Sequence, residues 1–186
     1  MLCSKGWLEV KRKIKNTTKP KRTVSVDEED YKKLSNVIYL DFTQYPKWTS
    51  CVSVDGFTNY LKDDNEALRH FYFIITELFR SVEDYDINKV FSGSVKGCHR
   101  LSGDHAQLAL EVIREIHGPN ILDEKSDIWE ISNGIQEIRI IGVFVTSTMH
   151  YFYPLFIDHH HLIYPSKNYN DNDFKHYKFT TETILS

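Results

Sequence analysis

The sequence predicts an α+β protein, with helices packed on one face of a small, mainly antiparallel sheet that ends in a three-stranded C-terminal meander. Three observations carry this. Apolar residues recur at three- and four-residue spacing in two stretches of the first two thirds. From Asp127 onward the period changes to two. An apolar run of strand type, NVIYLDF, precedes the first helical stretch, so the order is strand, helix, helix, meander.

The run Val37–Phe42 is rich in β-branched and aromatic residues and reads as a strand. A turn follows over Gln44–Ser50 around Pro46, and Cys51–Val54 reads as a short strand closed by Asp55-Gly56. Asp64–Val82 is the first helix. Asp63 or Asp64 caps it, and Leu68, Phe71, Tyr72, Ile75, Leu78, Phe79 and Val82 mark its expected buried stripe. The second helix spans about Ser102–His117, with Leu108, Val112, Ile113 and Ile116 as its apolar face and Gly118-Pro119 as its stop. Next comes DIWEIS, then Asn133-Gly134, then IQEIRIIGVFV, a pattern that predicts a hairpin with a two-residue type I′ turn. The third strand is YFYPLFID. Pro154 cannot donate to a ladder, so that strand must be bulged or lie at an edge there.

The 186 residues suit one domain, and 41% hydrophobic with 26% charged residues is a globular composition. Residues 1–26 read as a basic arm, 27–165 as the folded domain and 166–186 as a polar, aromatic tail. Within 27–35, DEEDYKKLS places acids first and lysines last, as a short helix prefers. No apolar run reaches bilayer-spanning length, and the first residues lack a signal-peptide pattern. The expectation is a cytoplasmic protein with no membrane partner. The net charge of −3 hides an asymmetry: residues 1–22 hold eight Lys or Arg against Glu9 alone. Such an arm can track a phosphate backbone, fold onto the acidic body, or serve solubility. Cys3, Cys51 and Cys98 form no Cys-x-x-Cys pair, so free thiols are expected. Lys96 and His99 near Cys98 are of the kind that activates a thiol, while a packed, inert cysteine is the plainer alternative.

Four features carry possible chemistry. Asp158-His159-His160-His161 ends the last strand, and alternation puts His159 and His161 on one face. They can act as acid and base, hold a transition metal with Asp158 or His150, or simply pack and solvate a strand end. Arg139 lies inside a β-branched run, where it faces solvent, an anionic ligand or an acid, with Glu137 two residues away on the same face and Glu130 across the hairpin as candidate ion-pair partners. Residues 93–105, GSVKGCHRLSGDH, gather Lys96, His99, Arg100 and His105 before a helix and read as an anion cradle or a solvated connector. Tyr164, with Tyr151, Tyr153 and Trp129, can stack bases or fill the core. Serine elbows, phosphate-binding glycine loops and dinucleotide fingerprints are absent from the sequence, and no cofactor is expected.

The C-terminal third resembles the RelE/HigB/ParE-type toxins of bacterial toxin–antitoxin pairs. Ile128-Trp129-Glu130-Ile131, Ile138-Arg139-Ile140 and His159-His160-His161 with Tyr164 occupy places similar to that family's motifs. The resemblance spans about 70 residues and departs from the family in chain length, in the acidic body and in Pro154. It implies a metal-independent endoribonuclease acting on RNA, often on the ribosome, with an antitoxin as protein partner and phage defence as a setting. Arg139 would stabilise the phosphorane, His159, His161 or Tyr164 would move protons, and Lys96, His99 and Arg100 would bind substrate. Two other functions stay open: a non-enzymatic regulatory or mobile-element interaction module, and a histidine-ligated metal-dependent hydrolase.

Overall fold

The computed structural model describes residues 36–122, 125–165 and 172–180. The basic arm, the 27–35 segment and Cys3 lie outside the described residues. The described chain runs β1 (Ile38–Leu40), β2 (Ser53–Val54), β3 (Phe57–Thr58), α1 (Asp64–Phe73), a π-helical turn (Ile74–Leu78) and α2 (Phe79–Glu83). It continues through α3 (Ile87–Phe91), β4 (His99–Arg100), α4 (Gly103–His117), β5 (Ile128–Ile131), β6 (Arg139–Thr146) and β7 (His150–Asp158) to a 3-10 turn at Asn172–His176.

The fold is α+β. One five-stranded sheet has the order β1-β7-β6-β5-β4, and β2-β3 form a separate two-stranded hairpin. β5, β6 and β7 make the antiparallel meander. β1 joins β7 in parallel, Ile38 opposite His150. The sheet therefore ends in its two shortest strands, β1 and β4, which limits the unpaired backbone it offers to other chains.

Helices cover both faces of this sheet rather than the one expected. Trp129, Ile131, Ile140, Phe152 and Ile157 pack with Ile74, Leu78, Val82, Ile87 and Val90 of the α1–α3 region. Their neighbours Ile128, Ile141, Val143 and Phe156 pack with Ala109, Leu110, Val112, Ile113 and Ile116 of α4. A sheet buried on both sides loses the clean polar alternation of a half-exposed one. β5 is accordingly buried at all four residues, Glu130 included.

Asp63 caps α1, its Oδ1 accepting from Glu66 N at 2.9 Å, and Glu66 Oε2 accepts from Lys62 N at 2.6 Å. The helix continues to Glu83, but Phe79 N donates to Ile74 O across five residues. This wider turn rotates the two halves relative to each other, so one 3.6-residue stripe cannot describe both. The expected stripe is corrected accordingly. Leu68, Tyr72 and Ile75 are 71%, 67% and 63% exposed, while Ala67, Phe73, Ile74, Leu78 and Val82 are buried.

The β5–β6 connection also departs from expectation. Ile131 pairs with Ile140, so the loop spans 132–138 instead of two residues. Gly134 does take a positive φ of 70°, and Asn133 Oδ1 accepts from Ile135 N. That local turn is embedded in a longer loop because Ile138 is drawn into the core. Pro154 sits at a bulge: Ile141 faces Phe156 while Gly142 faces Pro154, leaving Leu155 extra. Gly142 is required there, because a Cβ would lie 2.3 Å from Tyr153 O and 2.6 Å from Phe152 Cζ. In the tail, Phe179 and Leu61 exchange backbone hydrogen bonds, and Phe174 packs on the α4 side of the core. Among the described residues no helix is long and apolar enough to cross a membrane.

Candidate functional site

β5 brings Glu130 to the centre of a polar cluster at one end of the sheet. Its carboxylate is 1% exposed. His99, on β4, pairs directly opposite Glu130, which places its Nε2 4.0 Å from Glu130 Oε2. Arg139 opens β6, two residues along from Glu130's partner Ile141, and donates Nε to Glu130 Oε1 at 2.9 Å. His161 Nε2 lies 3.7 Å from the same oxygen. Glu130 Oε2 has no hydrogen-bond partner among the described residues.

The local fold explains how His161 arrives there. β7 ends at Asp158, and Asp158 then holds the following turn. Its Oδ1 accepts from His160 N and Leu162 N, and its Oδ2 from Ile163 N at 2.8 Å. Burial pushes the Asp158 carboxyl above its usual range, with the three N–H groups pulling the other way. Within this turn His161 adopts φ 55°, the one positive value at a non-glycine among the described residues. A backbone so placed is costly and is often kept at functional positions. Three residues on, Tyr164 stacks on His105 of α4 at 4.2 Å and meets His99 edge-on at 5.7 Å. Tyr164 is 49% exposed and the His99 side chain 42%, so this wall of the cluster faces solvent.

The expected alternation of the three histidines ends with the strand and is corrected here. His161 turns to Glu130, whereas His159 is buried toward α1, its Nδ1 3.1 Å from His70 Nδ1. His160 Nε2 lies 2.9 Å from Tyr60 O. Burial holds His159 well below the ordinary imidazole value and, with His160 and Arg69 nearby, lowers His70 to about 4, against an opposing pull from Glu66. His159 is therefore set apart from the Glu130 cluster. Arg139 is likewise engaged: beyond Glu130, its Nη1 donates to Gln136 O and Ile138 O. Its guanidinium fixes the carboxylate and the β5–β6 loop.

The 93–105 segment holds β4 rather than an open cradle. Cys98 N and Leu101 N donate to Val95 O and Ile128 O, and Arg100 pairs with Asp127 at 2.7 Å on the surface. Lys96 lies against the β5–β6 loop at Gly134. Cys98 is buried and donates to Ser132 O, and burial pushes its thiol up to about 11, so the activated-thiol alternative is corrected. Trp129 belongs to the core, tilted against Phe91 and edge-on to Phe144, and Tyr151 and Tyr153 are half-buried. The metal set of His159, His161 and Asp158 or His150 does not assemble. Both Asp158 oxygens are committed to backbone, and His150 sits at the far end of β7 near Thr146. Among the described residues no group of three His, Cys, Asp or Glu surrounds a metal position.

The sequence reading missed Glu130 as a hub and His70 altogether. Glu130 carried a signal, a lone acid within Ile-Trp-Glu-Ile. His70 carried only its place one turn after Glu66 on a helix.

Fold and cluster together define the class: an α+β protein whose sheet end holds a buried carboxylate between two imidazoles and an arginine. A family model described as uncharacterised protein UU032 matches residues 43–186. A protein of Ureaplasma parvum serovar 3, described as uncharacterized protein UU032, is 30% identical over 177 residues, spanning 90% of this chain and 92% of its own. The chain belongs to the UU032 family. No solved structure matches it.

Proposed function

We propose that this protein is an endoribonuclease of the toxin-like kind that cleaves RNA by metal-independent acid–base chemistry at the Glu130 cluster. The observation that carries the reading is the buried Glu130 carboxylate with His161 3.7 Å from its Oε1 and His99 4.0 Å from its Oε2, which has no hydrogen-bond partner among the described residues. A desolvated carboxylate stands beside two imidazoles and faces both. That suits a reaction needing one base and one acid together. His161 takes the proton of a ribose 2′-hydroxyl, and the 2′-oxygen attacks the phosphorus. The bond from phosphorus to the 5′-oxygen breaks as protonated His99 donates to that oxygen. The products are a 2′,3′-cyclic phosphate and a 5′-hydroxyl, and proton exchange with water restores the two imidazoles. Tyr164 offers a ring for a neighbouring base, and Lys96 and Arg100 attract the backbone. Arg139 acts through Glu130, as a positioning residue.

The test is cleavage of labelled single-stranded RNA by the full chain in excess chelator. Turnover yielding cyclic phosphate ends is expected, with kcat falling about 100- to 10,000-fold in His161→Ala and His99→Ala. Unchanged rates in both variants would overturn the reading. Intact RNA together with a stable protein complex on size exclusion would replace it with the interaction-module reading. The exposed stripe Leu68, Tyr72 and Ile75 favours that alternative.

A further inference from the structure

We propose that this protein pairs with a second copy of itself through the outer face of α1, the two helices running antiparallel about a two-fold axis close to Tyr72. The pairing goes beyond the nuclease reading and stands whether or not RNA is cleaved.

The surface is a continuous stripe. Leu68, Tyr72 and Ile75 are exposed and stand at i, i+4 and i+7, the spacing of one helix face. Ile135, 80% exposed, lies in the β5–β6 loop, whose Gln136 borders α1. Thr76, beside the stripe, spends its hydroxyl on the helix itself, Oγ1 donating to Tyr72 O at 2.8 Å. Covering it therefore strands no donor. An apolar stripe with a charged margin is the anatomy of a protein interface.

The charges beside the stripe choose the partner and its direction. Arg69 and Glu77 are both exposed and line one recess of about 410 Å³ with Tyr72 and Thr76, which places them on the same flank. No ion pair engages either of them among the described residues. They are eight residues apart, roughly 12 Å along a helix, and their midpoint falls at Phe73, next to Tyr72. In an antiparallel pair about a two-fold axis, equivalent flanks face each other, and residue i meets j as j meets i. Each Arg69 then reaches the partner's Glu77, Leu68 meets the partner's Ile75, and the two Tyr72 rings meet at the axis. A parallel pairing would set arginine against arginine and glutamate against glutamate, which repel. Exposed Asp64 at the start of α1 and exposed Arg80 in α2 extend the pattern, since antiparallel ends bring opposite signs together. The surface is complementary to itself, and that complementarity points to a second copy of this chain as its occupant.

The experiment is sedimentation equilibrium of the untagged full chain over a dilution series from submillimolar to low micromolar concentration. A concentration-dependent dimer of twice the chain mass is expected. Tyr72→Glu, a change at an exposed position checked for folding by circular dichroism, should leave only monomer. Arg69→Glu and Glu77→Arg should each weaken pairing about tenfold or more, because either change acts twice across the axis, and the variant carrying both should restore it. Three results would overturn the proposal. One is a monomer throughout the series, the outcome if the basic arm or a different protein covers the stripe. The others are a dimer that survives Tyr72→Glu, and a double variant that pairs no better than the single ones.

Discussion

Glu130 shows how a single residue can organise a neighbourhood. A carboxylate at 1% exposure must have its charge met by protein groups, and Arg139, His161 and His99 close around it. Cys98, next to His99, illustrates the opposite outcome for a reactive group. Burial pushes its thiol from 9.0 to about 11. A raised thiol pKa favours folding fully below pH 9, and that contribution disappears as pH climbs through 11. Urea unfolding at pH 8 to 11 should therefore show an alkaline loss of stability that is smaller in Cys98→Ser, which keeps a donor for Ser132 O. Equal losses in both proteins would contradict this. The pairing of Arg139 with Glu130 was legible from sequence, since both stand on neighbouring strands of a hairpin. The place of His161 was not, because it depends on Asp158 gathering three backbone N–H groups and on a positive φ that no side-chain pattern announces.

At the scale of elements, caps, stops and the meander were readable because they rest on local chemistry. Ser102 precedes α4, Gly118 ends it at φ 101°, and Pro154 falls on a bulge, one of the two outcomes its missing N–H allows. What escaped was set by packing. The π-helical turn rephases the first long helix, and burial of Ile138 lengthens the hairpin loop. Strand β4 was hidden in a segment that reads as a connector, because two residues give no periodicity. The bulge makes a sharp prediction. Gly142→Ala places a methyl group against Tyr153 O and Phe152, and overpacking of this kind costs about 1–3 kcal/mol or more. A drop of that order in urea-unfolding free energy is expected; a change under about 0.5 kcal/mol would show that the bulge relaxes freely.

Across the whole molecule, two apolar layers share one sheet, and the first strand of the sheet completes the layer beneath α1–α3. Ile38 is buried beside Phe152 and Ile157 in that layer although β1 is a three-residue edge strand. Ile38→Ala should therefore cost about 2–5 kcal/mol, as a core position does. Denaturant unfolding checks this, and a loss below about 1 kcal/mol would show that β1 is only loosely attached. Neither the second helical layer nor the partner of β1 was readable in advance, because both depend on residues far apart in the chain.

The parallel pairing of Ile38 with His150 also bears on how the chain is made. Ile38 leaves the ribosome long before its neighbour has been translated. The nascent chain must carry an apolar segment without a mate through most of its synthesis, and the sheet can close only after the last long strand emerges.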